Sequence, residues 1–141
     1  MNSLTKLSAI DTSIMFFDAY NKHEIDEMIK LFADNGEIVF QPLGGDGKGK
    51  VSELGQAIWS QLIHSFPNIS CEILKSKVDD EGNVICEVNF KGRQEDDFAG
   101  LANKGKSFDT DHVFVFKLNE QNLIDSLTVT WDHDDFCRQL S

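Results

Sequence analysis

The spacing of apolar positions changes character about halfway along the chain. In the first half it follows a helical period: Leu7, Ile10, Ile14 and Phe17 predict an amphipathic helix ending near Tyr20–Asn21. Ile25, Met28, Ile29 and Phe32 predict a second, shorter helix, broken by Asp34-Asn35-Gly36. A short strand, Glu37 to Phe40, stops at Pro42, and the Gly-rich run Gly44 to Lys50 reads as a loop. Leu54, Ile58 and Leu62, flanked by Trp59 and Ile63, predict a third helix that ends before Pro67. Beyond it the period becomes two. Strands are predicted over 69–78 and 84–92 around the turn Asp79-Asp80-Glu81-Gly82-Asn83, then over 108–118 and 123–131. The polar stretch 93–106 reads as a loop, and the tail from Asp134 to Leu140 as a short helix. Helices first and strands afterwards predict an α+β fold, in which three N-terminal helices pack on one face of a curved antiparallel sheet. With no linker, repeat or low-complexity tract, residues 1–141 are expected to form one domain.

Parity on the long strand 108–116 sorts its side chains. Phe108, Thr110, His112, Phe114 and Phe116 share one face, and Asp109, Asp111, Val113 and Val115 take the other. His112 is thereby separated from both neighbouring aspartates and set among phenylalanines. A curved sheet closed by helices leaves a conical cavity lined by alternate residues of its late strands. Desolvation in such a place keeps an imidazole neutral and able to accept a proton.

Charge narrows the partners. The chain carries 24 acidic against 13 basic residues, a net charge of −11. That excludes the Lys and Arg clusters on which nucleic-acid binding depends. No apolar run approaches a membrane span, and the N-terminal residues lack the pattern of a secretory signal, so a cytoplasmic location is expected. Cys71, Cys86 and Cys137 are odd in number and unpatterned, and are expected to be reduced. The run Gly44 to Lys50 nearly matches a phosphate loop, but Val51 stands where Ser or Thr must hold magnesium. The two Asp/His clusters, Asp109–His112 and Asp132–Asp135, have no spacing that sets two metal ligands on one face. No metal and no cofactor are expected.

Three segments carry a resemblance. The opening from Phe16 to Phe40, "FFDAYNKHEIDEMIKLFADNGEIVF", resembles the start of the nuclear transport factor 2-like superfamily. "FAGLANKGKSF", Phe98 to Phe108, resembles a loop of its SnoaL-like, polyketide cyclase-like branch, and the end from Leu123 to Leu140 resembles that branch's last strand and tail. The resemblance implies a cone-shaped, cystatin-like α+β barrel with a hydrophobic pocket. It also implies a homodimer through the outer face of the sheet.

Carried over residue by residue, the resemblance is incomplete. Where ketosteroid isomerases of the superfamily keep a general-base Asp before Pro, this chain has Gln41 before Pro42. Where the cyclases keep an Asp on the last strand it has Val129, while their pocket histidine matches His112. His112 is the leading catalytic candidate, with Asp132 a substitute acid only if the end of the last strand is bulged. Gln41, Trp59, Phe98, Leu101, Thr110, Phe114, Val129 and Trp131 are the expected lining, Phe98 and Leu101 acting as a lid. Two functions fit: a cofactor-free enzyme of the isomerase, cyclase or dehydratase type acting on a small hydrophobic molecule, or a non-catalytic ligand carrier or interaction module.

Overall fold

The computed structural model describes residues 2–141, with side chains described from Ala9 onward; Leu7, part of the first predicted helix face, lies outside that set. Helix α1 (Asn2–Asn21) is followed by α2 (Ile25–Ile29), strand β1 (Phe32–Phe40) and a run of 3-10 turns, Gln41–Gly47. Then come β2 (Lys48–Lys50), a π-helical turn Val51–Gly55, and α3 (Gln56–Ser65). The second half holds β3 (Ser70–Val78), β4 (Val84–Arg93), β5 (Ser107–Leu118), β6 (Ile124–Trp131) and α4 (His133–Leu140).

The six strands form one sheet in the order β2-β1-β6-β5-β4-β3. The α+β class and the curved sheet agree with expectation, and one pairing differs: β1 runs parallel to β6. A parallel neighbour is reached only through a long connection, so local sequence carries no sign of it. β1 also starts earlier than predicted. Phe32 leaves the helical pattern to pair with Ile124, and a register shift between Phe32 and Glu37 absorbs the Asp-Asn-Gly segment. The Gly-rich run is more ordered than a loop. Gly47 is required there, because a Cβ would meet the Phe40 carbonyl oxygen at 2.2 Å.

Strand alternation builds the interior. Val84, Cys86, Val88 and Phe90 of β4 are buried, as are Phe108, Thr110, Phe114 and Phe116 of β5, while Glu87, Asp109 and Asp111 face out. α1 lies over β3 and β4, but its buried face is rotated from the predicted one. Ile14 is 48% exposed, and Ala9, Phe16, Phe17 and Tyr20 point inward. Two aromatic rings bury more apolar area than an Ile–Ile stripe, so they set the helix's rotation. The small buried Thr12 and Ser13 let the helix come close to the sheet, Thr12 donating to the Asn122 carbonyl at 3.0 Å. The three cysteines are free thiols, with Cys71 opposite Phe90 and Cys86 opposite Ser76.

Candidate functional site

A cavity of about 450 Å³ opens between the inner face of the sheet, α3, α4 and the 94–106 loop. Its wall is mostly aromatic: Tyr20, Phe40, Trp59, Phe90, Phe98 and Phe108 among others. Among the described residues no Asp, Glu, Lys or Arg lines it; the polar groups on the wall belong to Tyr20, Gln61, His112, His133 and the two indoles. Such a surface suits an apolar, flat molecule oriented by a few hydrogen bonds.

His112 lies on the inner face of β5, opposite Trp131 of β6 and Val88 of β4. Its ring stacks on the Trp131 indole with centroids 5.4 Å apart at 21°, and the Phe90 ring approaches to 4.7 Å. Nδ1 is buried without a well-formed hydrogen bond. Burial pulls the pKa of the imidazole down to about 4, against smaller upward pulls from the Thr110 backbone and Asp111. The ring is therefore neutral at pH 7.

Tyr20, the chain's one tyrosine, enters from α1 and packs against the same Phe90 ring, with centroids 5.1 Å apart. Burial drives its pKa upward, with the neighbouring Cys71 adding to the effect, so the phenol keeps its proton. In the sequence Tyr20 figures only as the end of the first predicted helix. Its signal was a single hydroxyl on the aromatic face of an amphipathic helix.

His133 figures in the sequence only as part of the Asp132–Asp135 cluster and is not among the expected lining. It is the first residue of α4, two positions beyond Trp131, and it borders the cavity. The indole Nε1–H of Trp131 donates to His133 Nδ1 at 3.2 Å, leaving the remaining proton of a neutral ring on Nε2, 3.6 Å from Cys137 Sγ.

Of the expected lining, Trp59, Phe98, Phe114, Val129 and Trp131 join His112 around the cavity. Four expected residues lie elsewhere. Gln41 is exposed, since Phe40 turns inward and alternation sends its neighbour out, where Gln41 Oε1 accepts from the Thr130 hydroxyl at 2.8 Å. Asp132 is likewise exposed: with Trp131 facing in, it caps α4, accepting from the Asp135 N–H at 3.0 Å. Thr110 is buried, but its cross-strand partner Phe90 forms the wall at that level. Leu101 is half-buried outside the lining, its carbonyl accepting from the side chain of Gln94.

The segment carrying Phe98 is firmly fastened. Glu95 N–H donates to Ser65 O at 2.7 Å, the Ser65 hydroxyl to Asp97 O at 2.8 Å, and buried Gln94 donates to the carbonyls of Asp96 and Leu101. At its tip, Ala99 and Gly100 take positive φ, which turns Phe98 onto Phe66 and Phe136.

Comparison with known proteins places this architecture. The model of a family described as the SnoaL-like domain matches residues 14–126. No curated protein sequence matches the chain. Among solved structures, a candidate SnoaL-like polyketide cyclase from Jannaschia sp. CCS1 superposes with a TM-score of 0.83 at 17% identity, covering 96% of this chain and 92% of the other. A candidate polyketide cyclase from Xanthomonas campestris pv. campestris gives 0.82 at 16%, covering 97% and 99%. SalBIII, an epoxide hydrolase/cyclase-like enzyme with a role in pyran ring formation in the polyether salinomycin, gives 0.72 at 19%, covering 90% and 92%. At these identities the structural likeness speaks for the fold alone.

Proposed function

The chain belongs to the SnoaL-like domain family, and we propose that it binds a small hydrophobic or aromatic molecule in this cavity and moves a proton on it without a cofactor. The observation that carries the reading is His112, a neutral imidazole set into an otherwise aromatic wall. A carbonyl compound bound against Phe90 lies between an imidazole and a phenol. His112 takes a proton from the carbon next to the carbonyl, and the Tyr20 hydroxyl donates to the oxygen as negative charge develops there. With a pKa of about 4, His112 is a weak base. The reaction it suits is therefore abstraction of an activated proton, one flanked by a carbonyl or aromatic system, as in isomerisation, cyclisation or dehydration. The cyclase descriptions of the structural relatives point the same way.

One observation favours a second reading, that of a carrier. Among the described residues no carboxylate lines the cavity: Val129 is apolar, and Gln41 and Asp132 face solvent. A panel of lipophilic carbonyl compounds, tested for binding and turnover with wild type, His112→Gln and Tyr20→Phe, separates the two. Turnover that falls at least about a hundredfold in His112→Gln, with binding retained, supports proton transfer. Tight binding with no turnover by wild type supports the carrier.

A further inference from the structure

His133 belongs to no step of that proton transfer, yet it is joined to His112 through one side chain. The Trp131 indole presents a face to His112 and its N–H edge to His133. A tryptophan whose N–H is paired is fixed about both side-chain torsions, and here the pairing atom sits at the capped start of a helix. His133 is itself held: its ring stacks on Phe136 at 6.1 Å and 18°, and Phe136 packs on Phe108 at 5.0 Å.

We propose that His133 is a positioning residue, whose Nδ1 holds the Trp131 indole in the plane that covers His112. The inference rests on reading His112 as the proton-transfer group. If the indole swings away, His112 loses one of the three rings that pack on it and becomes easier to protonate. Few other ionisable groups bear on His112. Asp111 on its own strand points outward, Tyr20 comes from α1 and packs on Phe90, and β4 contributes Val88 and Phe90, which do not titrate.

The test is an NMR titration of the His112 ring, its resonance identified by loss in His112→Gln, in wild type, His133→Leu and His133→Asn. Asn places an acceptor oxygen near the position of Nδ1, and Leu offers none. The expected result is a proton affinity of His112 raised about tenfold in His133→Leu and within about threefold of wild type in His133→Asn. The Trp131 indole N–H resonance should shift in the Leu variant alone. A His112 titration unchanged in His133→Leu, or moved equally in both variants, overturns the proposal. Should His133→Leu fail to fold, Trp131→Phe takes its place: the same rise in proton affinity is expected there, and no rise overturns it. The titration needs neither ligand nor turnover, so a failed coupling leaves the proton-transfer reading standing. An enzyme assay without turnover likewise leaves the coupling standing.

Discussion

The inner face of β5 is filled at one end and hollow at the other. Around Phe116 the rings of Phe16 and Phe17 close in at 5.5 and 5.7 Å, and Val84 stands directly across the sheet, all fully or almost fully buried. Four residues earlier the same face, with the same alternation, opens into the cavity at His112. The two ends differ in what covers them. α1 lays two phenylalanines onto the first, whereas over the second the cover is split among α3, α4 and the loop carrying Phe98. A continuous helix fills the space it covers, and a cover of separate pieces leaves a gap between them. The hollow end consequently bears the polar groups, while the filled end supplies the rigidity that holds them in place.

The largest expected contrast comes from truncation. Phe116→Ala leaves a cavity inside a close-packed cluster and is expected to cost about 3–5 kcal/mol in chemical denaturation. Phe98→Ala, at the half-buried rim of the hollow, should cost clearly less. Equal losses would mean that the two ends are packed alike.

Acid should reveal the hollow end next. Folded His112 stays neutral down to about pH 4, whereas in the unfolded chain it takes up a proton near its ordinary value of about 6.5. Between those values the unfolded state binds more protons, so stability falls as the pH drops from about 6.5 to about 4. The loss should reach on the order of 3 kcal/mol. Denaturation midpoints at pH 7 and pH 4.5 should therefore differ less in His112→Phe than in wild type.

Overpacking is the third probe. Val84→Phe inserts bulk where none fits and should destabilise by about 1–3 kcal/mol. Val129→Phe places the same bulk in the cavity, so stability should hold while binding of apolar probes such as anilinonaphthalene sulfonate weakens. The smallest effect belongs to Asp132→Ala. Loss of the α4 cap should cost about 1 kcal/mol with turnover retained. A fall in turnover comparable with that of His112→Gln would return Asp132 to the catalytic group.

What could be read from the sequence follows the range of the forces involved. Alternation on β5 is local, and it set His112 and Phe114 on the inner face, where the structure has them; Val129 came from the family pattern instead. The face of α1 was misjudged because Ile14 and Phe16 are both apolar, and only packing against β4 and β5 decides between them. Gln41 came from a position in a family pattern, and Asp132 was a substitute that required a bulge; each follows an inward aromatic, Phe40 or Trp131, and parity carries it outward. The place of His133 on the wall was not foreseen because the helix that begins there brings its ring back over the cavity, and that return depends on tertiary contacts of Phe136. Strand parity past Trp131 made Asp132 conditional on a bulge, and a capped helix start would have pointed to His133.

The parallel pairing of β1 with β6 has a consequence for the order in which the molecule assembles. Gln41 and Thr130, hydrogen-bonded across that seam, are 89 positions apart. Strands β3 to β6 are neighbours in sequence and can zip up as successive hairpins, each closing a modest loop. The β1–β6 seam must instead join distant parts of the chain, at a higher cost in loop entropy. β1 is therefore expected to dock late, and Phe40, on the wall facing Trp131, arrives with it. A chain stalled before that step would hold a nearly complete meander, with both histidines in place along it and no enclosed space for a ligand.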